Sequence, residues 1–300
     1  MSGDHGHGHS AAYQDRRSLV LVLGIGVAIL VVELLGGIAA NSLALLADAG
    51  HVLTDVAGVA LALGAIWIAA RPSSDERTYG WYRVEILAAV INAVLLFGVA
   101  AYVLLEAWQR WNDPPEVTSG LMLAVALLGG AANLLSMWLL RAPGQRSLNL
   151  RGAYLEVLGD FLGSIAVVVA AVVIALTGWT RADALASAAI GLMILPRTWS
   201  LLRDAIDVLL EATPKGLRVD QVRGHLLAAE GVADIHDLHA WTITSGQPVV
   251  SAHVVLKPGA DPARVLDELC RCLSGDFDIE HSTLQLETSD RRRLEEGGHH

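Results

Sequence analysis

Long apolar stretches separated by short polar ones dominate the first two thirds of the chain. Six of them, at roughly 18–40, 42–70, 85–108, 117–140, 152–177 and 183–203, each reach the ~20 mostly apolar residues that a membrane-crossing helix needs. Glycine recurs inside these stretches, as it does where membrane helices pack closely. After about residue 207 the pattern changes. "RVDQVRGHLLAAE" has the period of an amphipathic helix, and "VADIHDLHAWTIT" and "PVVSAHVVLK" read as two strands of a hairpin joined across Ser245-Gly246-Gln247. "DPARVLDELCRCL" reads as a second helix, with Asp261 as its N-cap and Pro262 at its first position. "DIEHSTLQLE" alternates as a last strand. This α-β-β-α-β order predicts a small α+β domain with one open sheet. The head "MSGDHGHGHSAA" and the tail "SDRRRLEEGGHH" show neither period and are expected to be disordered. The fold class is therefore a polytopic α-helical membrane protein. It has a histidine-containing head over 1–17, a six-helix transmembrane bundle over 18–206, a C-terminal α+β domain over 207–289 and a tail over 290–300.

Composition agrees with that division. The chain is 53% hydrophobic with a mean hydropathy of +0.48, too apolar for an ordinary soluble domain. Residues 207–300 carry 9 Lys/Arg against 16 Asp/Glu, an acidic end that argues against nucleic acid as a partner and suits cations. The two cysteines, Cys270 and Cys272, form no disulfide framework, which fits a reducing compartment. Two apart on a helix, they point to different faces and read as packing or incidental residues rather than metal ligands. The first 17 residues are polar, include Asp4 and Asp15, and do not resemble a cleaved signal peptide. Arginine fixes the orientation. With the N-terminus in the cytoplasm, that side holds Arg16, Arg17, Arg71, Arg77, Arg83, Arg141, Arg146, Arg151, Arg197 and Arg203, and the other only Arg110 and Arg181. Both termini are thus expected to be cytoplasmic.

Against this apolar background, "ADAGHVLTDVAG" is out of place. An ionised side chain at mid-bilayer costs roughly 2.5–3.5 kcal/mol on insertion scales, so each needs a reason. His51 and Asp55 are four apart and share a helix face; the fifth stretch repeats the device with Glu156 and Asp160 in "YLEVLGD". Two helices that each present such a pair can close a four-coordinate site of one imidazole and three carboxylates, suited to a divalent metal such as Zn²⁺. His51 alone among eleven histidines lies between residues 10 and 224. Asp48, one turn earlier on the same face, is read as an outer carboxylate, a stepping stone or a helix-end group. Glu33, Glu85, Asn92, Glu106 and Asn133 are read as packing or snorkelling residues.

"NSLALLADAGHVLTD", "YGWYRVEILAAVINAV", "LNLRGAYLEVLGDFLGS" and "GVADIHDLHAWTITSGQPVVSAHVVL" together resemble the cation diffusion facilitators, bacterial cobalt-zinc-cadmium resistance type, from about residue 18 to 287. The resemblance implies a homodimer of six-helix subunits in the bacterial inner membrane, exporting divalent metal from the cytoplasm in exchange for protons by alternating access. Zn²⁺ is the expected substrate, with Cd²⁺ and Co²⁺ as further ones, and no other cofactor is expected. The family's transport site maps onto His51, Asp55, Glu156 and Asp160; many zinc members carry histidine at the position of Glu156. The loop "RPSSDERTYGWYR" has no histidine, so the site some members place there is not expected, and "RAPGQRSLNLRG" lacks the histidine-rich insertion of many eukaryotic members.

The resemblance also implies that the terminal domain is a ferredoxin- or metallochaperone-like regulatory module. His236, His253 and His281 match positions that bind regulatory metal in some members, and all three are expected to converge on one sheet edge. Thr283 stands where a carboxylate can occur, and Trp241 in "HDLHAW" reads as a dimer-packing residue. The "HGHGH" of the head can capture metal weakly. The sequence shows no H-E-x-x-H or G-x-S-x-G, so an enzyme is not expected. The alternative function is a membrane-anchored metal sensor or scaffold whose cytoplasmic domain carries the activity.

Overall fold

The computed structural model describes residues 7–69, 71–141, 148–244 and 246–295. Six long helices come first: α1 (His7–Ala40), α2 (Leu43–Ala69), α3 (Arg83–Asn112), α4 (Ser119–Arg141), α5 (Leu148–Thr177) and α6 (Arg181–Leu209). Then follow α7 (Val219–Ala228), β1 (Val232–Thr242), β2 (Pro248–Leu256), α8 (Pro262–Phe277), β3 (His281–Glu287) and α9 (Ser289–Glu295). The chain divides into two compact units, Met1–Ala62 with Ile91–Leu201, and Leu63–Val90 with Leu202–His300.

In the first unit one core draws on all six helices. Small residues such as Ala44, Ala47, Ala100, Ala126, Ala171 and Ala186 make up much of it, which lets backbones approach closely. Gly36 shows how closely: a Cβ there would meet Val125 Cγ2 at 2.5 Å. The large apolar side chains point the other way. Leu105, Trp108, Leu128, Trp138 and Leu176 are all 63% exposed or more, an outward apolar surface that suits hydrocarbon rather than water. Among the described residues five helical segments are long and apolar enough to cross a membrane, in α1, α3, α4, α5 and α6. The second helix, which carries Asp48, His51 and Asp55, is not one of these five.

The amino end of α2 is anchored by a residue 140 positions away. Asp183, buried in the first turn of α6, accepts from the Leu43 amide at 2.8 Å, from the Ala44 amide at 3.2 Å and from the Ser42 hydroxyl at 2.6 Å. The Ser42 hydroxyl in turn accepts from the Leu45 amide at 3.3 Å. The first amides of a helix have no partner within it, and a carboxylate there also meets the positive end of the helix dipole. Arg110 Nη1 lies 3.7 Å from Asp183 and donates to the Asn41 carbonyl at 2.9 Å.

In the second unit the sheet order is β1-β2-β3, with β1 antiparallel and β3 parallel to the central β2. Val222 and Leu226 of α7 and Val265, Leu269 and Leu273 of α8 join Ile235, Val250 and Val254 of the strands in a single core. The helix expected after Asp261 begins as its sequence indicates: Asp261 Oδ1 accepts from the Ala263 amide at 3.0 Å, and Pro262 opens the helix. The first strand is irregular between His236 and His239, where Asp237 takes φ 47°, a left-handed conformation that suits an acidic residue at a bulge.

Both ends differ from the sequence expectation. Residues 1–6 of the head and 296–300 of the tail lie outside the described residues. Residues 7–17, expected to be disordered, belong to α1, and Ser289–Glu295 forms α9. From Ser10 to Arg17 no glycine or proline interrupts the chain, so the helix can propagate backward from the apolar segment.

Candidate metal centre

The second and fifth helices bring together three of the four groups singled out within the apolar stretches. His51 and Asp55, one turn apart on α2, lie with His51 Nε2 3.7 Å from Asp55 Oδ2. Asp160 arrives from α5, its Oδ1 3.4 Å from the same nitrogen. Ligand atoms of the three lie within 4.8 Å of one another. For N and O ligands bonded at about 2.0–2.1 Å, the edge of a tetrahedron is about 3.3–3.4 Å. The His51–Asp160 separation already has that length, and the His51–Asp55 separation exceeds it by about 0.3 Å.

Two atoms of this group are buried without a hydrogen-bond partner among the described residues, His51 Nδ1 and Asp160 Oδ1. A buried polar atom left unpaired costs about 1–3 kcal/mol, and more when charged. A cation between Asp160 Oδ1 and His51 Nε2 would remove that cost for the carboxylate, with Asp55 completing a third side. The donor set, one imidazole and two carboxylates, is that of a borderline divalent metal.

Glu156, one turn before Asp160, pairs with Arg197 of α6 and also lies beside the Asp55 carboxylate at hydrogen-bonding distance. The structure therefore gathers His51, Asp55 and Asp160 around one point, with Glu156 at its edge between Asp55 and a guanidinium. The arginine count alone places Arg197 only among the cytoplasmic-side charges. Its place beside Glu156 depends on how α6 packs against α5, which no local spacing reports.

Around this group lie other buried acids. Asp48 is buried on α2, and a Cβ at Gly163 of α5 would come within 3.0 Å of its Oδ1. Glu33 is buried on α1 against Gly129 of α4, where a Cβ would stand 2.4 Å from Glu33 Oε1, and Glu33 Oε2 has no partner among the described residues. Asn133 donates to Ser164 Oγ at 3.3 Å between α4 and α5.

The cytoplasmic histidines are only partly gathered. His236 and His253 are register partners across β1 and β2, with ring centroids 5.0 Å apart. Buried Glu287, at the end of β3, holds both: its Oε2 is 3.1 Å from His236 Nε2 and its Oε1 2.9 Å from His253 Nδ1. His281 does not join them. It pairs in register with Val249, whereas His253 pairs with Gln285, four residues further along β3, or about 13 Å at strand spacing. The expectation that all three converge on one edge is corrected by the parallel pairing of β2 with β3, which sends the start of β3 to the far end of the central strand. Glu287, which the sequence reading does not single out, pairs with both histidines, and Asp237 offers a second carboxylate within 4.8 Å of them.

Residues 19–210 match the cation efflux transmembrane domain and residues 214–289 the cytoplasmic domain of cation efflux proteins. The chain belongs to the cation efflux family. It is accordingly a cation efflux transporter and not an enzyme, a cation diffusion facilitator as its motifs indicated. Over 300 residues it is 44% identical to the metal cation efflux system protein CzcD of Cupriavidus metallidurans, covering 100% of this chain and 94% of that protein. It is 37% identical over 289 residues to the zinc transporter ZitB of Escherichia coli, covering 94% and 92%. It is 38% identical over 290 residues to the cadmium, cobalt and zinc/H(+)-K(+) antiporter of Bacillus velezensis, covering 95% and 92%.

Proposed function

We propose that this cation efflux protein exports divalent metal, Zn²⁺ with Cd²⁺ and Co²⁺ as further substrates, in exchange for protons, with His51, Asp55, Glu156 and Asp160 as the transport site. The observation that carries the reading is the approach of His51 Nε2 to Asp160 Oδ1 at 3.4 Å, with the carboxylate oxygen buried and otherwise unpaired. The names of relatives, which include zinc, cadmium and cobalt, support the choice of metal.

Metal and protons compete for these side chains, because a ligand must be deprotonated to bind. Facing the cytoplasm, His51 and the carboxylates release protons and take up metal; Glu156 leaves Arg197 to become the fourth ligand. Facing outward, they are reprotonated as the metal departs, and the protonated site resets. The movement is a rocking of α2 and α5 against their neighbours about a buried site, which is alternating access. In this reading α2 is the sixth span, its ionisable groups facing the bundle interior, and both termini lie in the cytoplasm of a bacterial inner membrane. The α+β domain serves as a metallochaperone-like module that joins two subunits, and His236, His253 and Glu287 offer it a regulatory metal site. A membrane-anchored sensor has no use for paired ligands on two helices of the apolar part, so export is the better account.

Reconstitution tests the proposal. Proteoliposomes with an imposed pH gradient are expected to accumulate Zn²⁺ against its own gradient, read by an enclosed fluorescent chelator. Asp160→Ala, still monodisperse, is expected to lose that uptake. Transport indifferent to the pH gradient overturns the exchange, and normal transport by Asp160→Ala overturns the site.

A further inference from the structure

A second cluster of metal-binding chemistry lies wholly within the α+β domain, where α7 and α8 run side by side, and it is unrelated to the transport reading. His225 is in the last turn of α7, and Cys272 and Asp276 are one turn apart near the end of α8. His225 Nδ1 is 3.5 Å from Asp276 Oδ2, and the Cys272 thiol donates to that same oxygen at 3.7 Å. One ligand atom from each residue lies within 4.8 Å of the other two. With metal–sulfur bonds of about 2.3 Å and metal–nitrogen or –oxygen bonds of about 2.0–2.1 Å, the edges of a tetrahedral zinc site are about 3.5 Å for S–O and about 3.3–3.4 Å for N–O. The two measured separations exceed those edges by about 0.2 Å or less.

The surroundings also ask for a cation. α8 has no basic residue in its last turn, where the negative end of the helix dipole would favour one. Asp276 instead adds a negative charge there, and Glu268 lies one turn before Cys272 on the same face. The His225 ring is held against Phe277 edge to face, with centroids 5.1 Å apart, so its orientation is set before any ligand arrives. Burial, then the neighbouring carboxylates of Asp276 and Glu268, raise the Cys272 thiol above its ordinary pKa. In the metal-free protein the thiol donates its proton in a hydrogen bond to Asp276 Oδ2, and a bound metal would take the place of that proton.

We propose that His225, Cys272 and Asp276 form a binding site for a thiophilic divalent cation such as Zn²⁺ or Cd²⁺ on the surface of the cytoplasmic domain, with Glu268 or water in the fourth position. The thiolate selects such ions over Mg²⁺ and Mn²⁺. With the His225 and Asp276 side chains 55% and 58% exposed, the ion exchanges directly with solvent or with a carrier. It is a surface loading site, and it shares no residue with the His236–His253–Glu287 group.

The cysteine content makes the test specific. Cys270 and Cys272 are the only thiols in the chain, so a thiolate-to-metal charge-transfer band in the near ultraviolet reports on this region alone. Purified full-length protein, stripped of metal and kept reduced, would be titrated with Co²⁺. The expected result is a band that saturates at one thiolate per chain, persists in Cys270→Ser and is absent in Cys272→Ser. His225→Ala is expected to weaken Co²⁺ binding, read from the same band, by about tenfold or more, since loss of outer partners alone costs about 10–100-fold. Mg²⁺ should not displace the Co²⁺, and Cd²⁺ should. No band in the wild-type protein, a band that survives Cys272→Ser, or one abolished by Cys270→Ser overturns the proposal. So does unchanged affinity in His225→Ala. None of these outcomes depends on whether the protein transports metal.

Discussion

Arg197→Gln is the most informative change to the proposed transport site, because in that reading Arg197 and the metal compete for Glu156. The ion pair that holds Glu156 is only partly sheltered, its side chains 53% and 33% exposed for Arg197 and Glu156. Solvent screening at such exposure limits a pair to about 0.5–1 kcal/mol. If Glu156 must leave Arg197 to join His51, Asp55 and Asp160, abolishing the pair returns that energy to metal binding. At 1.4 kcal/mol per tenfold, the gain is about 2–5-fold in affinity. The arginine also repels the incoming ion directly, and Arg197→Gln relieves that repulsion whether or not Glu156 binds. A double-mutant cycle separates the two effects. Zn²⁺ affinity would be measured by competition with a fluorescent chelator at fixed pH, for wild type, Arg197→Gln, Glu156→Gln and the double variant. The expected outcome is tighter binding in Arg197→Gln and a much smaller gain when Glu156 is already neutral. Equal gains in both backgrounds would show that Glu156 takes no part in binding and that three ligands suffice.

Two further changes test the scaffold around the site. Asp183→Ala strips the buried cap from α2, leaving the Ser42 hydroxyl and the Leu43 and Ala44 amides without their acceptor. Loss of one partner from such a buried charged network is expected to cost about 3–5 kcal/mol, read by denaturation in detergent; a loss under about 1 kcal/mol, the worth of one ordinary hydrogen bond, would refute the capping role. Gly129→Ala puts a methyl group 2.4 Å from Glu33 Oε1 and is expected to destabilise by about 1–3 kcal/mol. Gly24→Ala, which meets nothing within 4 Å, is the control in the same denaturation assay and is expected to be neutral or stabilising. Equal stabilities for the two alanine variants would contradict the close packing of Glu33.

Apolar run length, local periodicity and capping residues were enough to read the six long helices, the α-β-β-α-β order of the α+β domain and the start of α8 at Asp261-Pro262. Each of these depends on residues within a few positions of one another, where backbone geometry is the same whatever the rest of the chain does. The i,i+4 spacing likewise put His51 with Asp55, and Glu156 with Asp160, each pair on one helix face. The packing of α5 and α6 decided that Glu156 meets Arg197, and the packing of α2 and α6 decided that Asp183 closes the end of α2. Strand register brought Glu287 to His236 and His253 and carried His281 away from them. Cys272 read as incidental until α7 laid His225 beside it, 47 positions earlier in the chain. A side chain's chemistry and face are local properties. Its partner is set by which faces meet when the apolar surfaces are buried, and that depends on the whole fold.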